Sequence, residues 1–233
     1  MPRIVKITNE RIMPGTALFN IRFEDHVAGP EAPDRPEGQV GDADIIAACF
    51  HWGEEYHFVP SAHQRRAAEA ALAGGAHLLI GTHPHVLQPM EVSLASSDHG
   101  ADARLVAWSL GNFVSFQRTL PRERSCVLAV EVEKTDEDEG ARLVRVSVAP
   151  TRVVLVPSGG RRRAEVAYAG TEGSFNHAGL PPSELERTRK AGRRVLDFLG
   201  ADGEPDENGF YSKVFAYAKN KKYSKVKILC DET

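Results

Sequence analysis

Two short apolar runs, each ending in a histidine-bearing polar cluster, limit what this chain can fold into. Ala43–Phe50 (ADIIAACF) closes on His51-Trp52-Gly53-Glu54-Glu55-Tyr56, and Ala76–Ile80 closes on Gly81-Thr82-His83-Pro84-His85. Runs this short, without polar alternation, suit strands buried on both faces of a helix-covered sheet. Between them Pro60-Ser61-Ala62-His63-Gln64 opens a helix, with Ser61 as N-cap and Gln64 completing a capping box. Ala67, Ala68, Ala71 and Leu72 give that helix a small apolar face, and Gly74-Gly75 stops it. The pattern predicts a β–loop–α–β unit with a polar cluster at the C-terminal end of each strand. Ligand and metal sites of open α/β sheets lie at those ends.

The remaining chain is less regular. Residues 1–40 are broken by Pro14, Gly15, Gly29, Pro30, Pro33, Pro36 and Gly38, so only Ala17–Phe23 reads as a short strand and the rest as loop. Arg104–Leu110 is a third strand candidate, followed by Gly111-Asn112-Phe113. Cys126–Glu133 and Arg142–Ala149 alternate as a hairpin with one wet face around the acidic turn Thr135–Gly140, and Thr151–Val156 either extends its second strand or starts another. Beyond Pro157-Ser158-Gly159-Gly160 the pattern loosens. Ser183–Leu199 then reads as an amphipathic helix, with Ser183 and Glu186 as a capping box, Leu185, Val195, Leu196 and Leu199 on one face, and Gly200 at its end. The expected division is residues 1–160, with core motifs in 42–116, and an extension over 161–233 holding helix 183–199 and a basic tail.

Composition narrows the function classes. The 233 residues carry 29 Lys+Arg and 32 Asp+Glu, a net charge of −3, with 42% hydrophobic and 7% aromatic residues. That balance describes a globular chain with no global pull toward nucleic acid or anionic membrane, and the few aromatics argue against a base-stacking platform. No apolar stretch reaches membrane-spanning length, and the N-terminus does not read as a signal peptide. Cys49, Cys126 and Cys230 are odd in number and far apart, without a CxxC, so they read as inert thiols rather than a disulfide or zinc framework. No Walker loop, GxSxG or dinucleotide glycine fingerprint is present.

Histidine carries the chemical signal. His83-Pro84-His85 follows one strand directly, and His51 ends the other. If the strands are neighbours in a parallel sheet, three imidazoles share one rim, with Glu55 four residues after the first. Neutral imidazole suits divalent zinc, iron or manganese, and the spacing alone does not distinguish one metal from two. The competing reading is that these histidines are ordinary loop residues. His26, His57, His63, His77, His99 and His177 fit that reading. Trp52 and Tyr56 either stack on a substrate or, the favoured reading, pack over the site. Asn112 either orients a ligand or makes a turn. Arg161-Arg162-Arg163 and the tail lysines, including Lys221 and Lys222, either bind a polyanion or form a solvated face.

The string HWGEEY, the helix with Gln64 near its start, GTHPHV with Gln88, and WSLGNFV resemble the CapA-type capsule synthesis proteins, in order and spacing as well as in letters. The motifs span His51 to Val114. The resemblance implies a role in capsule and poly-γ-glutamate production. It also implies a calcineurin-like metallophosphoesterase fold, an α/β/β/α sandwich, in which His51 supplies the single histidine of one motif and His83 and His85 the pair of the next. Divalent metal ions are the implied cofactors, two of them in that superfamily. Glu55 and Asn112 occupy family-motif positions. The superfamily's early motifs, a metal-binding Asp and an Asn-His pair, have no counterpart at a convincing strand end among Asp25, His26, Asp34, Asp42 and Asp44, so the chain reads as the C-terminal portion of such a domain.

Two functions follow as expectations. One is a metal-dependent phosphoesterase-like hydrolase or transferase acting on an anionic polymer or phosphoester. The other is a non-catalytic cell-envelope component that binds poly-γ-glutamate or its synthesis machinery. The resemblance implies an envelope or extracellular setting.

Overall fold

The computed structural model describes residues 4–13, 16–24, 45–97, 100–117, 119–134, 141–170, 180–201, 203–214 and 224–227. They form a mixed α/β structure of two sheets and two helices. The first sheet contains β1 (Ile4–Met13), β2 (Thr16–Glu24), β3 (Ile45–His51), β4 (Leu78–Thr82), β5 (Met90–Ser97) and β6 (Gly100–Ala107), in the order β1-β2-β3-β4-β6-β5. Helix α1 (Ala62–Ala73) connects β3 to β4. The second sheet contains β7 (Arg124–Lys134), β8 (Ala141–Ser158), β9 (Arg161–Tyr168), β10 (Tyr211–Val214) and β11 (Ser224–Lys227). Helix α2 (Pro182–Leu199) follows β9.

The apolar runs explain the centre of the first sheet. β3 and β4 pair in parallel, Ala47 opposite Leu78 through His51 opposite Thr82, and β4 pairs in parallel with β6. Successive residues face different cores. Ile45, Ala47, Leu78, Ile80, Leu105 and Ala107 join the core shared with the second sheet and α2. Ile46, Ala48, Leu79 and Val106 pack under α1 with Ala68, Trp52 and Trp108. A strand covered on both faces must be apolar at every position. The expected helix is present as read: Ser61 Oγ accepts the Gln64 backbone N–H and Gln64 Oε1 accepts that of Ser61.

Three features of the sequence reading are corrected. Residues 4–13 form β1, antiparallel to β2, where loop was expected; Pro14-Gly15 separates two strands rather than interrupting a loop. β2 in turn lies antiparallel to β3, so this hairpin extends the sheet that carries the histidines. Thr151–Val156 extends the second hairpin strand as β8, one of the two expected outcomes, but the chain does not loosen after Gly159-Gly160. Those glycines, at φ 55° and 78°, return it as β9 with Ser158 opposite Arg161. Two consecutive positive-φ residues make the tight hairpin turn that suits strand twist. Helix α2 begins at Pro182, not after Ser183, and has no side-chain cap; a first-turn proline needs none of the N–H it lacks. Gly200, at φ 63°, ends it as expected.

One buried charge joins these parts. Arg152 on β8 has no exposed surface. Its Nε and Nη2 lie 3.1 and 3.2 Å from the two oxygens of Glu123, itself 1% exposed, and its Nη1 lies 2.9 Å from Glu184 Oε2 and 3.1 Å from Thr188 Oγ1 on α2. Glu123 also returns its backbone carbonyl to the Val153 N–H at 2.9 Å. The segment leading into β7 is therefore fastened to β8, and both to α2.

Two outcomes are expected. Arg152→Ala leaves the buried Glu123 with only the more distant Arg187, 3.8 Å away, as counter-charge and should lower unfolding free energy by about 3 kcal/mol in chemical denaturation; a change within error would refute the clamp. Burial pushes the Glu184 carboxyl up, but the Arg152 and Arg187 guanidinium groups beside it outweigh this and hold it below the usual carboxylate range. A depressed folded value gives stabilisation that is present above the unfolded value and lost as pH falls through the folded one. Glu184→Gln should therefore lose less stability than the parent chain when acidified below the carboxylate range. The Cys126 thiol, fully buried, is pushed up to about 12 by desolvation. A thiol reagent at pH 8 should label it only on unfolding, and labelling of the native chain would contradict the burial.

Candidate functional site

The parallel pairing of β3 and β4 places His51 beside Thr82, so both polar clusters leave the sheet at the same edge. Backbone hydrogen bonds then lace them together. Trp52 N–H donates to Thr82 O at 3.2 Å, Tyr56 N–H to Pro84 O at 2.7 Å, and Leu110 N–H to Gly81 O at 3.2 Å. Gly81 has to be glycine: a Cβ there would collide with the Trp108 carbonyl oxygen and the Trp52 indole nitrogen, which are themselves joined by a 3.0 Å hydrogen bond. The loop after β3 is held from below by two fully buried amides. Gln64 Nε2 donates to Gln88 Oε1 at 2.9 Å, and Gln88 Nε2 donates to His57 O at 2.8 Å.

The structure brings the three expected histidines together. The His51 and His83 rings have centroids 4.5 Å apart, and those of His83 and His85 are 5.9 Å apart. His83 and His85 occupy the left-handed region, at φ 97° and 58°, as does Tyr56 at 67°. Non-glycine residues are strained there and persist only where surroundings hold them. Here the Tyr56–Pro84 hydrogen bond and the Pro84 ring fix the backbone between the two imidazoles.

His85 is the most defined of the three. Its Nδ1 is 2.7 Å from Asn112 Oδ1, and Asn112 Nδ2 donates to Arg122 O at 3.0 Å. That second bond orients the Asn112 amide with its oxygen toward the ring, so His85 Nδ1 is the donor, and in the neutral ring Nε2 is the nitrogen with the lone pair. Asn112 is 2% exposed, so the relay is shielded from water. Glu55 Oε1 lies 3.9 Å from His85 Nε2. Trp52 does not line the rim; it packs under α1 between Phe50 and Trp108. Tyr56 is at the rim, its ring 6.1 Å from that of His85.

The donor chemistry suits a divalent metal, but the donor number does not. Among the described residues, no group of three or more His, Cys, Asp or Glu is gathered closely enough to hold a metal ion. The imidazoles share a rim without closing a shell, and no carboxylate bridges them. Of the basic run, Arg161, Arg162 and Arg163 are exposed at the start of β9, but strand alternation splits them between two faces and Arg163 pairs with Glu165. Lys221 and Lys222, like Asp25, His26, Asp34, Asp42 and Asp44, lie outside the described residues.

Arg122 is a rim residue that the sequence reading missed. Its guanidinium carbon lies 3.4 Å from the centroid of the Tyr56 ring. In sequence it is one basic residue within Pro121-Arg122-Glu123-Arg124; only the fold of the segment before β7 brings it to the loop after β3.

Comparison with known proteins places the rim inside a shared segment. Residues 35–117 match the family model described as bacterial capsule synthesis protein PGA_cap. The chain is 40% identical over 86 residues to the PGA biosynthesis protein CapA of Bacillus subtilis (strain 168), covering 37% of this chain and 20% of that protein. It is 40% identical over 74 residues to the capsule biosynthesis protein CapA of Bacillus anthracis, covering 32% of this chain and 16% of that one. The matched regions thus span a fifth or less of these relatives. The family model's bounds include His51, His83, His85 and Asn112, and the chain is similar to CapA-type capsule biosynthesis proteins over this part of its length.

Proposed function

We propose that this capsule biosynthesis chain contributes the histidine rim of a metal-dependent, phosphoesterase-like hydrolase or transferase site acting on an anionic polymer or phosphoester. The observation that carries the reading is the Asn112–His85 relay at the end of two parallel strands. A ring with Nδ1 committed as donor presents an unprotonated Nε2, the form in which imidazole binds a metal or accepts a proton. His51 and His83 stand beside it from the same sheet edge. The left-handed backbone at His83 and His85 is the kind of local strain that clusters at such sites. The two sheets around a shared core, with α1 on the other face of the first, support the metallophosphoesterase-like α/β/β/α layering; β9, α2 and β10 belong to the same core, so residues 161–233 are not a separate extension in this reading. A bound divalent metal, whether manganese, iron or zinc, would polarise a phosphoryl or carbonyl oxygen. The rim by itself does not close a ligand shell among the described residues, so it supplies no complete reaction centre alone.

The competing reading is a non-catalytic component of the cell envelope that binds poly-γ-glutamate or its synthesis machinery. It draws on the exposed Arg161–Arg163 stretch, and it requires no metal.

Titration of the full chain with manganese, zinc or ferrous iron by calorimetry separates the two. The expected result is stoichiometric binding that is lost in the His83→Ala/His85→Ala double variant. Binding that survives that change, or none in the parent chain, rules out the metal-site reading. Asn112→Leu should weaken the metal by about 10–100-fold, the usual effect of removing a group that orients a ligating imidazole. Its second signature is spectroscopic: nitrogen-15 chemical shifts of His85 should lose the single Nδ1–H tautomer of the parent. Unchanged shifts would show that Asn112 does not set the ring.

A further inference from the structure

Arg122 stands at the rim as a cation with an unusual support. Its backbone carbonyl takes the Asn112 Nδ2–H, and the next residue, Glu123, is locked by Arg152. The side chain leaves this anchored segment and lays its guanidinium over Tyr56 at 3.4 Å, well within cation–π range. The ring beneath is fixed at its backbone, where the Tyr56 N–H is bonded to Pro84 O at 2.7 Å. At its other end the Glu55 carboxylate is the main reason the hydroxyl proton is held more tightly than usual, with Gln117 acting in the opposite sense.

A guanidinium supported on its flat face keeps its in-plane N–H fork for hydrogen bonding. Among the described residues, no carboxylate forms an ion pair with Arg122, whereas Arg145, Arg152, Arg163, Arg187 and Arg193 each have one. Glu55 acts instead on the Tyr56 hydroxyl and lies 3.9 Å from His85 Nε2. Beside the same ring, Gln117 has a buried Oε1 without a hydrogen-bond partner among the described residues. A cation with an open fork and an unsatisfied acceptor thus lie together, with the platform ring 6.1 Å from the His85 ring.

We infer that Arg122, carried on Tyr56, is the specificity-determining residue that takes an oxyanion of the ligand, a carboxylate or a phosphoryl group, while the ligand's reacting end lies at His85. The inference rests on the proposed function and adds to it the residue that recognises the ligand's charge. A planar fork suits both oxyanions because each presents two oxygens to it. The Gln117 Oε1 would accept a hydrogen-bond donor on the same ligand, which selects against a bare anion.

The test is a binding titration of the full chain, followed by nuclear magnetic resonance of the Tyr56 ring and its neighbours, with inorganic phosphate in one arm and tetraglutamate in the other. In whichever arm the parent chain binds, Arg122→Gln should weaken binding by about tenfold or more, and Arg122→Lys, which keeps charge but loses the fork, should recover only part of it. Glu55→Gln should tighten binding by removing a competing negative charge. Arg161→Gln, exposed on β9, should change it by less than about twofold. The Arg122 change leaves the backbone carbonyl that holds Asn112 in place, and an unchanged thermal melt confirms that each variant is folded. Equal binding by the parent and Arg122→Gln overturns the assignment, as does binding of neither ligand by the parent. A chain that binds no metal but still binds an oxyanion through Arg122 would sink the catalytic reading and leave this assignment standing.

Discussion

A guanidinium with no exposure to water joins β8, the segment before β7 and α2 at one point. Desolvating an arginine is tolerable only when carboxylates and further acceptors surround it. Arg152 meets that condition with Glu123, Glu184 and Thr188, three residues from two other parts of the chain. Arg152 and Glu123 depend most on each other, because both are buried charges, while Glu184 and Thr188 have further partners on α2. The result is geometrical more than energetic: the segment before β7 has one place to lie. Arg122 and the carbonyl that orients Asn112 are on that segment, so the Asn112–His85 bond rests, at one remove, on the Arg152–Glu123 pair at the start of β7.

The part of the fold legible in the sequence is the part whose faces are both covered. Ile45 through Phe50 and Leu78 through Ile80 show continuous apolar runs because neighbouring side chains enter different cores. Ser61 and Gln64 announce α1 through local chemistry, a cap that needs no distant partner. The illegible parts lack such signals. β1 carries Lys6, Thr8, Asn9, Glu10 and Arg11 and is recruited by pairing with β2, a tertiary decision. β9 opens on three exposed arginines and is fixed by its register along β8. At α2, Ser183 and Glu186 spell a capping box, yet Pro182 and the Glu184–Arg152 bond set the start one residue earlier.

The site divides along the same line. His51, His83 and His85 could be found because strand ends in a parallel sheet converge by topology. What tunes them could not: the Asn112–His85 bond joins positions 27 residues apart, and the Arg122–Tyr56 stack joins two loops with no pattern in common. Trp52 shows the limit of reading a motif letter as a site letter. It sits next to His51, but its indole N–H is spent on the Trp108 carbonyl beneath α1, where it packs rather than binds.

The family match ends at residue 117, but the working unit around the rim does not. Asn112 leans on the carbonyl of Arg122, Arg122 is held through Glu123, and Glu123 answers to Arg152 and, through it, to α2. A protein engineer who transplanted only the recognisable stretch would carry over the histidines and leave behind the struts that aim one of them. The smallest portable version of this site is therefore set by a chain of contacts running to residue 188, well past the last recognisable motif.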